Sequence, residues 1–358
     1  MKKLSCLILF LSLASSSLAV DPSNQPIYES FLKCFSNQTC TAPDKLCGVV
    51  LPQSSASFTP TLRAYIRNAR YNTSTSPKPL IVIAARSEAH VQATVLCTKS
   101  LNFQLKTRSG GHDYDGVSYI SNRPYFVLDM SYLRNITVDM ADGGGSAWVG
   151  AGATLGEFVA PKTSPDLFMR LLLQPKTKNT TQTVRASPDS ASFLKRKSDY
   201  VETEISKEGL GFLFTKLMET GKLGLVFNPY GGIMCQVPTT KTPFPHRKRL
   251  FKVQHSMNWK DAGIEAENSF MEKTRSFYSY MAPFVTKNPR HTYLNYRDLE
   301  IGTNSHGPNS YREAEVYGRK YFGENFDRLV KVKTAVDPEN FFRDEQSVPT
   351  LPTKPSMR

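Results

Sequence analysis

"TRSGGHDYDG", residues 107–116, decides how the rest of the chain is read. A strand-like run, "NFQLKT" (102–107), leads into it, and Gly110 and Gly111 then separate Arg108 and Ser109 from His112. A glycine pair readily supplies positive φ, so a tight turn is one reading. The other is a loop whose bare main chain approaches a ligand, such as a phosphate held by N–H groups. Arg108 would then add charge-assisted hydrogen bonds.

The flanking sequence bears on the choice. "LIVIAA" (80–85) reads as a short buried strand, and Ser87 caps a helix over "SEAHVQATVLCTKSL" (87–101). Ala89, Ala93, Leu96 and Cys97 share one face of it, and Glu88 suits its positive end. Strand, helix, strand and Gly-Gly make an α/β unit with its loop at the strand ends, where ligands of such sheets commonly sit. Downstream, "YFVLDM" (125–130), "NITVDM" (135–140) and "AWVGAG" (147–152) read as strands, the last two joined by the turn "ADGGGS" (141–146). Thr154 and Glu157 form a capping box, yet Pro161 blocks the helix they open. "GAGATLG" (150–156) has its third glycine one place too late for a dinucleotide fingerprint.

The chain has 358 residues and a formal net charge of +14, with 45 basic against 31 acidic side chains. Its length suggests roughly two domains. Lys2 and Lys3 precede "LSCLILFLSLA" and "SSSLA", which reads as a secretory signal over residues 1–19. After it, nothing is long and apolar enough to span a membrane. Sequons at Asn37, Asn72, Asn135 and Asn179 mark glycan acceptors. Cys34, Cys40, Cys47, Cys97 and Cys235 follow the signal, an odd set without metal-ligand spacing. The positive charge suits an acidic polysaccharide partner. The basic residues are scattered apart from "KRK" (195–197) and "HRKR" (246–249), read here as solvated, so nucleic acid is not expected.

Helical periodicity marks "TPTLRAYIRNAR" through Leu62, Tyr65, Ile66 and Ala69. "DLFMRLLLQP" (166–175) reads as a strand, and "GLGFLFTKLMETG" as a helix closed by Gly221. "KLGLVFNPYGGIM" and "RLFKVQHSMNW" read as strands of a second sheet. "ENSFMEKTRSFYSYMAPF" is an amphipathic helix with Phe270, Thr274, Phe277 and Met281 near one face, and one last helix runs through "YGRKYFGENFDRLVKVKTAVDP".

Taken together, "FLKCFS", "PKPLIVIAARSEAHVQATVLC", "RSGGHDYDG", "GAGATLGE", "FNPYGGIM", "TPFPHR", "YLNYRDLEIG" and "YFGENFDRLVKVKTAVDPENFFRDEQSVP" resemble, in order, the berberine bridge enzyme-like flavoproteins of plants. The resemblance implies an α+β fold: a partial FAD domain of the vanillyl-alcohol-oxidase type, a partial antiparallel-sheet substrate domain, and a C-terminal segment returning to the FAD domain. The implied boundaries are 20–75 for an N-terminal helical segment, 76–158 for the first half of the FAD domain, 159–290 for the substrate-domain remnant and 291–352 for the C-terminal segment. It implies FAD linked covalently to His112, with Arg108, Ser109, Gly110, Gly111, Asp113, Gly116, Thr154 and Asn295 around it. It also implies a Cys34–Cys97 disulfide and, more loosely, a Cys40–Cys47 pair. Tyr296, Gln254, Lys252 and Tyr114 fall at active-site positions, where Lys252 would lower the phenol pKa of Tyr296. Leu294 stands where some relatives carry another tyrosine.

Against the family pattern two gaps stand out. "GATLGEF" runs directly into "VAPKTSPDLF", which resembles a stretch well inside the substrate domain, and near "TVRASPDSASFLKRKSDYVE" a strand of the substrate sheet jumps to a later helix. The lost part holds the second half of the FAD domain, including the cysteine of a second flavin bond. The expected function is a secreted, extracellular or wall-associated (alternatively vacuolar) monomeric FAD-dependent oxidoreductase acting on a small alcohol, sugar or phenylpropanoid. The alternative is an inactive shortened form without stable FAD binding, because losing several strands removes more apolar burial than the usual stability margin of about 5–15 kcal/mol. A basic wall-binding glycoprotein without catalysis is a third reading.

Overall fold

The computed structural model describes residues 24–46, 48–139, 146–159 and 192–352. The leader, Cys47 with the pairing expected for it, the tip of the "ADGGGS" turn, "DLFMRLLLQP", Asn179 and the first join lie outside the described residues.

The first layer is built on strands apolar enough to be buried on both faces, as parallel sheets require. β1 (Val50–Pro52), β2 (Ile81–Ala84), β3 (Gln104–Arg108) and β4 (Tyr125–Asp129) form a sheet in the order β1-β2-β4-β3. β2, β4 and β3 run parallel and β1 antiparallel. Every residue of β2 and β4 is buried. On one face α1 (Gln25–Thr39) and α3 (Glu88–Ser100) pack Phe31, Phe35 and Cys97 onto Ile81, Ile83 and Phe126. The Cys34–Cys97 disulfide ties these helices together, with 5.8 Å between the Cα atoms. Ser87 caps α3 as expected, its hydroxyl accepting from His90 N–H. The face of α3 is rotated from the one read in the sequence. The disulfide turns Cys97 inward, so Ala93 and Thr94 are buried with it while Leu96 is 51% exposed.

The 20–75 segment is not simply helical, since it contributes β1 to the sheet and α2 (Phe58–Arg63) to its second face. The helix expected through Ala69 stops at Arg63. Arg108 reaches across and donates to the carbonyls of Thr61 and Leu62, acceptors a longer helix would have used. The same guanidinium pairs with Asp129, and both groups are fully buried.

A hairpin follows, β5 (Ile136–Asp139) with β6 (Ser146–Val149). α4 (Leu155–Val159) carries the capping box in full: Thr154 N–H donates to Glu157 Oε2 at 2.8 Å and Glu157 N–H to Thr154 Oγ1 at 3.3 Å.

The second sheet is antiparallel, with β9 (Phe251–Trp259) between β7 (Phe193–Val201) and β8 (Leu223–Pro229). α5 (Lys207–Thr220) and α7 (Ile264–Tyr280) cover one face over Val201, Leu213, Leu223, Val253, Met257 and Phe277. Ser206 caps α5 and Gly221 ends it, and a short α6 (Ile233–Gln236) follows β8. The basic run 195–197 is not solvated: Lys195 and Lys197 are 2% and 3% exposed on β7, each paired with carboxylates. The expected last helix is two, α8 (Ser310–Phe322) and α9 (Asn325–Val336), because the chain turns at Gly323 with φ +52°. Their core joins Tyr317, Tyr321, Phe326 and Val330. The tail then returns to the first sheet, where Lys106 pairs with Glu345 at 2.8 Å and Phe341 packs against the α1–α3 core.

Two stability predictions follow from this frame. Arg108→Met leaves Asp129 buried without its partner and should cost about 3–5 kcal/mol in urea unfolding; a loss under about 1 kcal/mol refutes the capping-and-pairing role. His246 is 1% exposed, stacks on Tyr200 at 4.0 Å, and has no partner at Nδ1. Burial, then His291, pushes its pKa down to about 3. Since the folded pKa lies below the unfolded value, the unfolded chain takes up the proton first, and stability falls as pH drops below about 6.5. This group alone should remove about 2 kcal/mol between pH 6.5 and 5. His246→Phe keeps the stack and should flatten that slope in unfolding titrations, whereas a slope equal to the parent's rules the assignment out.

Candidate functional site

The loop after β3 answers the question posed by its two glycines. Gly111 sits at φ +61°, and a Cβ there would stand 2.1 Å from the Tyr65 carbonyl, so only glycine fits. Gly110 differs: a Cβ would meet nothing within 4 Å, and its surface is open. The N–H groups of Gly110, Gly111 and His112 donate to no acceptor among the described residues. His112 is exposed beside them. Desolvation, then nearby Arg67, lowers its pKa, so the imidazole is neutral near pH 7. Three unused main-chain donors, open approach over Gly110 and a neutral, exposed imidazole make a surface that fits an anionic, dinucleotide-type group.

Several side chains assigned to that ligand are engaged elsewhere. Arg108 faces inward to Asp129 and α2, because β3 buries it on the side away from the loop. Ser109 donates its hydroxyl to the Ala151 carbonyl. Asp113 accepts the N–H groups of Asp115 and Val117 and shapes the turn. Gly116 is buried against the Tyr71 ring with φ +76°, and the Thr154 hydroxyl is held by Glu157. Asn295 is exposed and donates to the Tyr293 hydroxyl at 3.1 Å. The loop therefore presents backbone rather than side chains.

The proposed substrate residues do come together. In strands, cross-strand partners share a face and successive residues alternate. The register thus places Gln254 and Lys252 of β9 with Arg196 of β7 on the face opposite α5 and α7. Onto this face fold Tyr114 from the loop and Tyr296 from the C-terminal segment, their rings 6.0 Å apart. Gln254 Nε2 donates to the Tyr114 hydroxyl at 3.4 Å. Lys252 Nζ lies 4.0 Å from the ring centroid of Tyr293 and 4.4 Å from that of Tyr296. It therefore sits against the ring faces rather than beside a phenol oxygen. The expected lowering of the Tyr296 pKa does not occur: burial, then Tyr114 and other phenols, raise it, with Arg196 opposing. Lys252 itself is lowered by desolvation. Leu294 packs in the α8–α9 core instead of joining the tyrosines.

Arg196 was missed in the sequence, hidden inside a basic triplet. Its guanidinium lies 5.3 Å from the Tyr114 ring centroid and is anchored on the Met257 carbonyl at 2.6 Å and Asn258 Oδ1 at 2.8 Å. Strand alternation was the available signal, since it sends Arg196 to one face and Lys195 and Lys197 to the other.

A parallel βαβ layer with a backbone-lined loop is thus joined through Tyr114 to an antiparallel sheet that carries a tyrosine cluster. Residues 79–168 match the family described as "FAD binding domain" and residues 292–349 that described as "Berberine and berberine like". "Berberine bridge enzyme-like 1" of Arabidopsis thaliana is 58% identical, with 99% of each chain covered, and "Berberine bridge enzyme-like 2" of the same plant is 50% identical over 99% of this chain and all of the relative. Among solved structures, Phl p 4, a grass pollen allergen with glucose dehydrogenase activity, superposes with a TM-score of 0.79 at 23% identity, covering 90% of this chain and 100% of the other. A berberine bridge enzyme variant described as a reticuline dehydrogenase gives 0.76 at 19%, covering 90% and 100%. The chain belongs to the berberine bridge enzyme-like family of FAD-dependent oxidoreductases. It is an internally shortened member: the match to the first relative runs over 538 positions, and this chain has 358 residues to fill them.

The raised phenol gives a direct test. In a difference titration at 295 nm against Tyr296→Phe, Tyr296 should contribute no phenolate below about pH 10. A phenolate signal near pH 8 would instead restore Lys252 as its activator.

Proposed function

We propose that this chain is an oxidoreductase taking a hydride equivalent from a small alcohol, sugar or phenylpropanoid-type substrate, with FAD held covalently through His112. The observation that carries the reading is the convergence of Tyr114, Tyr296, Gln254, Lys252 and Arg196 on the sheet face beside the open glycine loop. FAD, when bound, supplies the electron sink. The N–H groups of Gly110, Gly111 and His112 would hold its anionic part, and the neutral His112 imidazole offers the ring nitrogen that a covalent link needs. The second, cysteinyl link of the family is absent from this reading.

Tyr296, protonated at neutral pH, orients a substrate hydroxyl by hydrogen bonding, and it takes a proton only once ionised. Lys252 lies on its ring face, while burial and the neighbouring phenols keep the hydroxyl protonated. Gln254 and Arg196 hold Tyr114 in position, and substrate size is set by the space between the two phenols. Secretion, glycan at Asn37 and Asn135, both exposed, a monomeric state and retention on acidic wall polysaccharide belong to the same proposal and rest on the leader pattern, the sequons and the +14 charge.

A second reading, a shortened form without stable FAD, is favoured by one observation. Trp148 is 80% and Val149 47% exposed on β6, as expected where covering chain is missing. The visible spectrum of the purified protein separates the two. The first predicts yellow colour that survives acid denaturation and is released by acid in His112→Ala. A colourless parent protein selects the second.

A further inference from the structure

Beneath the tyrosine pair, on the other side of β7, lies a buried ionic cluster that neither reading uses. Lys195 Nζ is 2.9 Å from Asp115 Oδ2 and 2.7 Å from Asp298 Oδ1, and all three side chains are 1–2% exposed. Asp115 directly follows Tyr114, and Asp298 lies two residues after Tyr296. The loop and the C-terminal segment thus both cross the β7 edge, laying a tyrosine on the front face and a carboxylate on the back. Asp115 Oδ2 also accepts Leu299 N–H at 2.8 Å, which ties the two segments directly. Asp298 Oδ2 is taken by Lys197 at 2.7 Å. Asn68, fully buried, adds a bond from Nδ2 to the Tyr114 carbonyl at 2.7 Å and another to Leu194 at 3.1 Å.

We propose that Lys195 is the positioning residue of the substrate site: its ammonium, clamped between Asp115 and Asp298, sets the spacing and tilt of Tyr114 against Tyr296. The inference deepens the proposed function and rests on it for its catalytic consequence, whereas its geometric content concerns the apoprotein alone. Physically, an ammonium shared by two carboxylates from separate segments fixes both at once. Burial makes any displacement costly, because an uncovered charge has no water to turn to. A surface lysine at the same place would leave the two phenols free to drift, and misplacement by about 1 Å can cost on the order of a hundredfold in rate.

The test labels the protein with 3-fluorotyrosine and assigns the Tyr114 and Tyr296 resonances through Tyr114→Phe and Tyr296→Phe. Lys195→Met is compared with the double variant Lys195→Gln with Asp115→Asn, which removes one charge of each sign and leaves Asp298 paired with Lys197, so that a folded sample is retained. The expected result is a shift of both fluorine resonances in these variants, with unchanged signals from Tyr125 and Tyr311, whose hydroxyls bond no member of the cluster. In FAD-loaded protein the same variants should reduce flavin roughly tenfold more slowly at saturating substrate with cofactor content unchanged. If both resonances stay in place while only the melting temperature falls, Lys195 is a stabilising residue and the proposal is overturned. If the protein takes up no FAD, the proposed function fails, but the fluorine spectra still decide the positioning role.

Discussion

The organisation of this molecule depends on a cation removed from water. Lys195 is inaccessible on an edge strand, and burial disfavours its charge, but Asp115 and Asp298 more than offset this and push its pKa up. Asp298 is likewise opposed by burial and held below the usual carboxylate range by Lys195 and Lys197. Three parts of the chain far apart in sequence meet there: the glycine loop, the substrate sheet and the C-terminal segment. Breaking such a cluster leaves buried charge uncompensated, so the three parts hold their relative placement or lose it together.

A similar logic governs the loop itself. Arg108, read as a ligand for phosphate, instead caps α2 and neutralises Asp129. By ending α2 it frees the chain to place Tyr65 against Gly111, and that contact excludes any side chain at 111. The anion-facing surface is therefore made of main-chain donors supported from behind by a structural arginine. Backbone donors suit this task because their direction is set by the fold rather than by a side-chain rotamer.

Apolar surface stays uncovered in particular places. β5 and β6 form a hairpin whose residues are mostly half or fully exposed, with Trp148 in solvent. Phe212, Phe214 and Met218 of α5 are exposed as well, at 54%, 60% and 83%. In contrast, the α1–α3 layer, the α7 side of the second sheet and the α8–α9 core are closed. Within the described residues, the chain keeps the packing that holds the tyrosine face while leaving apolar surface uncovered on β6 and α5.

Much of this was legible in the sequence because local rules act on neighbouring residues. The apolar runs of β2 and β4, the Ser87 cap, the Thr154–Glu157 capping box, the Gly221 stop and the gathering of Tyr114, Tyr296, Gln254 and Lys252 were read from residue type, spacing and resemblance. What only the tertiary structure decided concerns partners distant along the chain. The end of α2 depends on Arg108 from β3, the buried face of α3 on a disulfide to α1, and the burial of Lys195 and Lys197 on carboxylates from two other segments. The phenol of Tyr296 is raised rather than lowered because burial, then Tyr114 and other phenols, outweigh Arg196, and Lys252 meets its ring face and not its oxygen. Charge and spacing along a chain say which groups can interact; burial and direction, which only the folded chain supplies, say which of them do and with what sign.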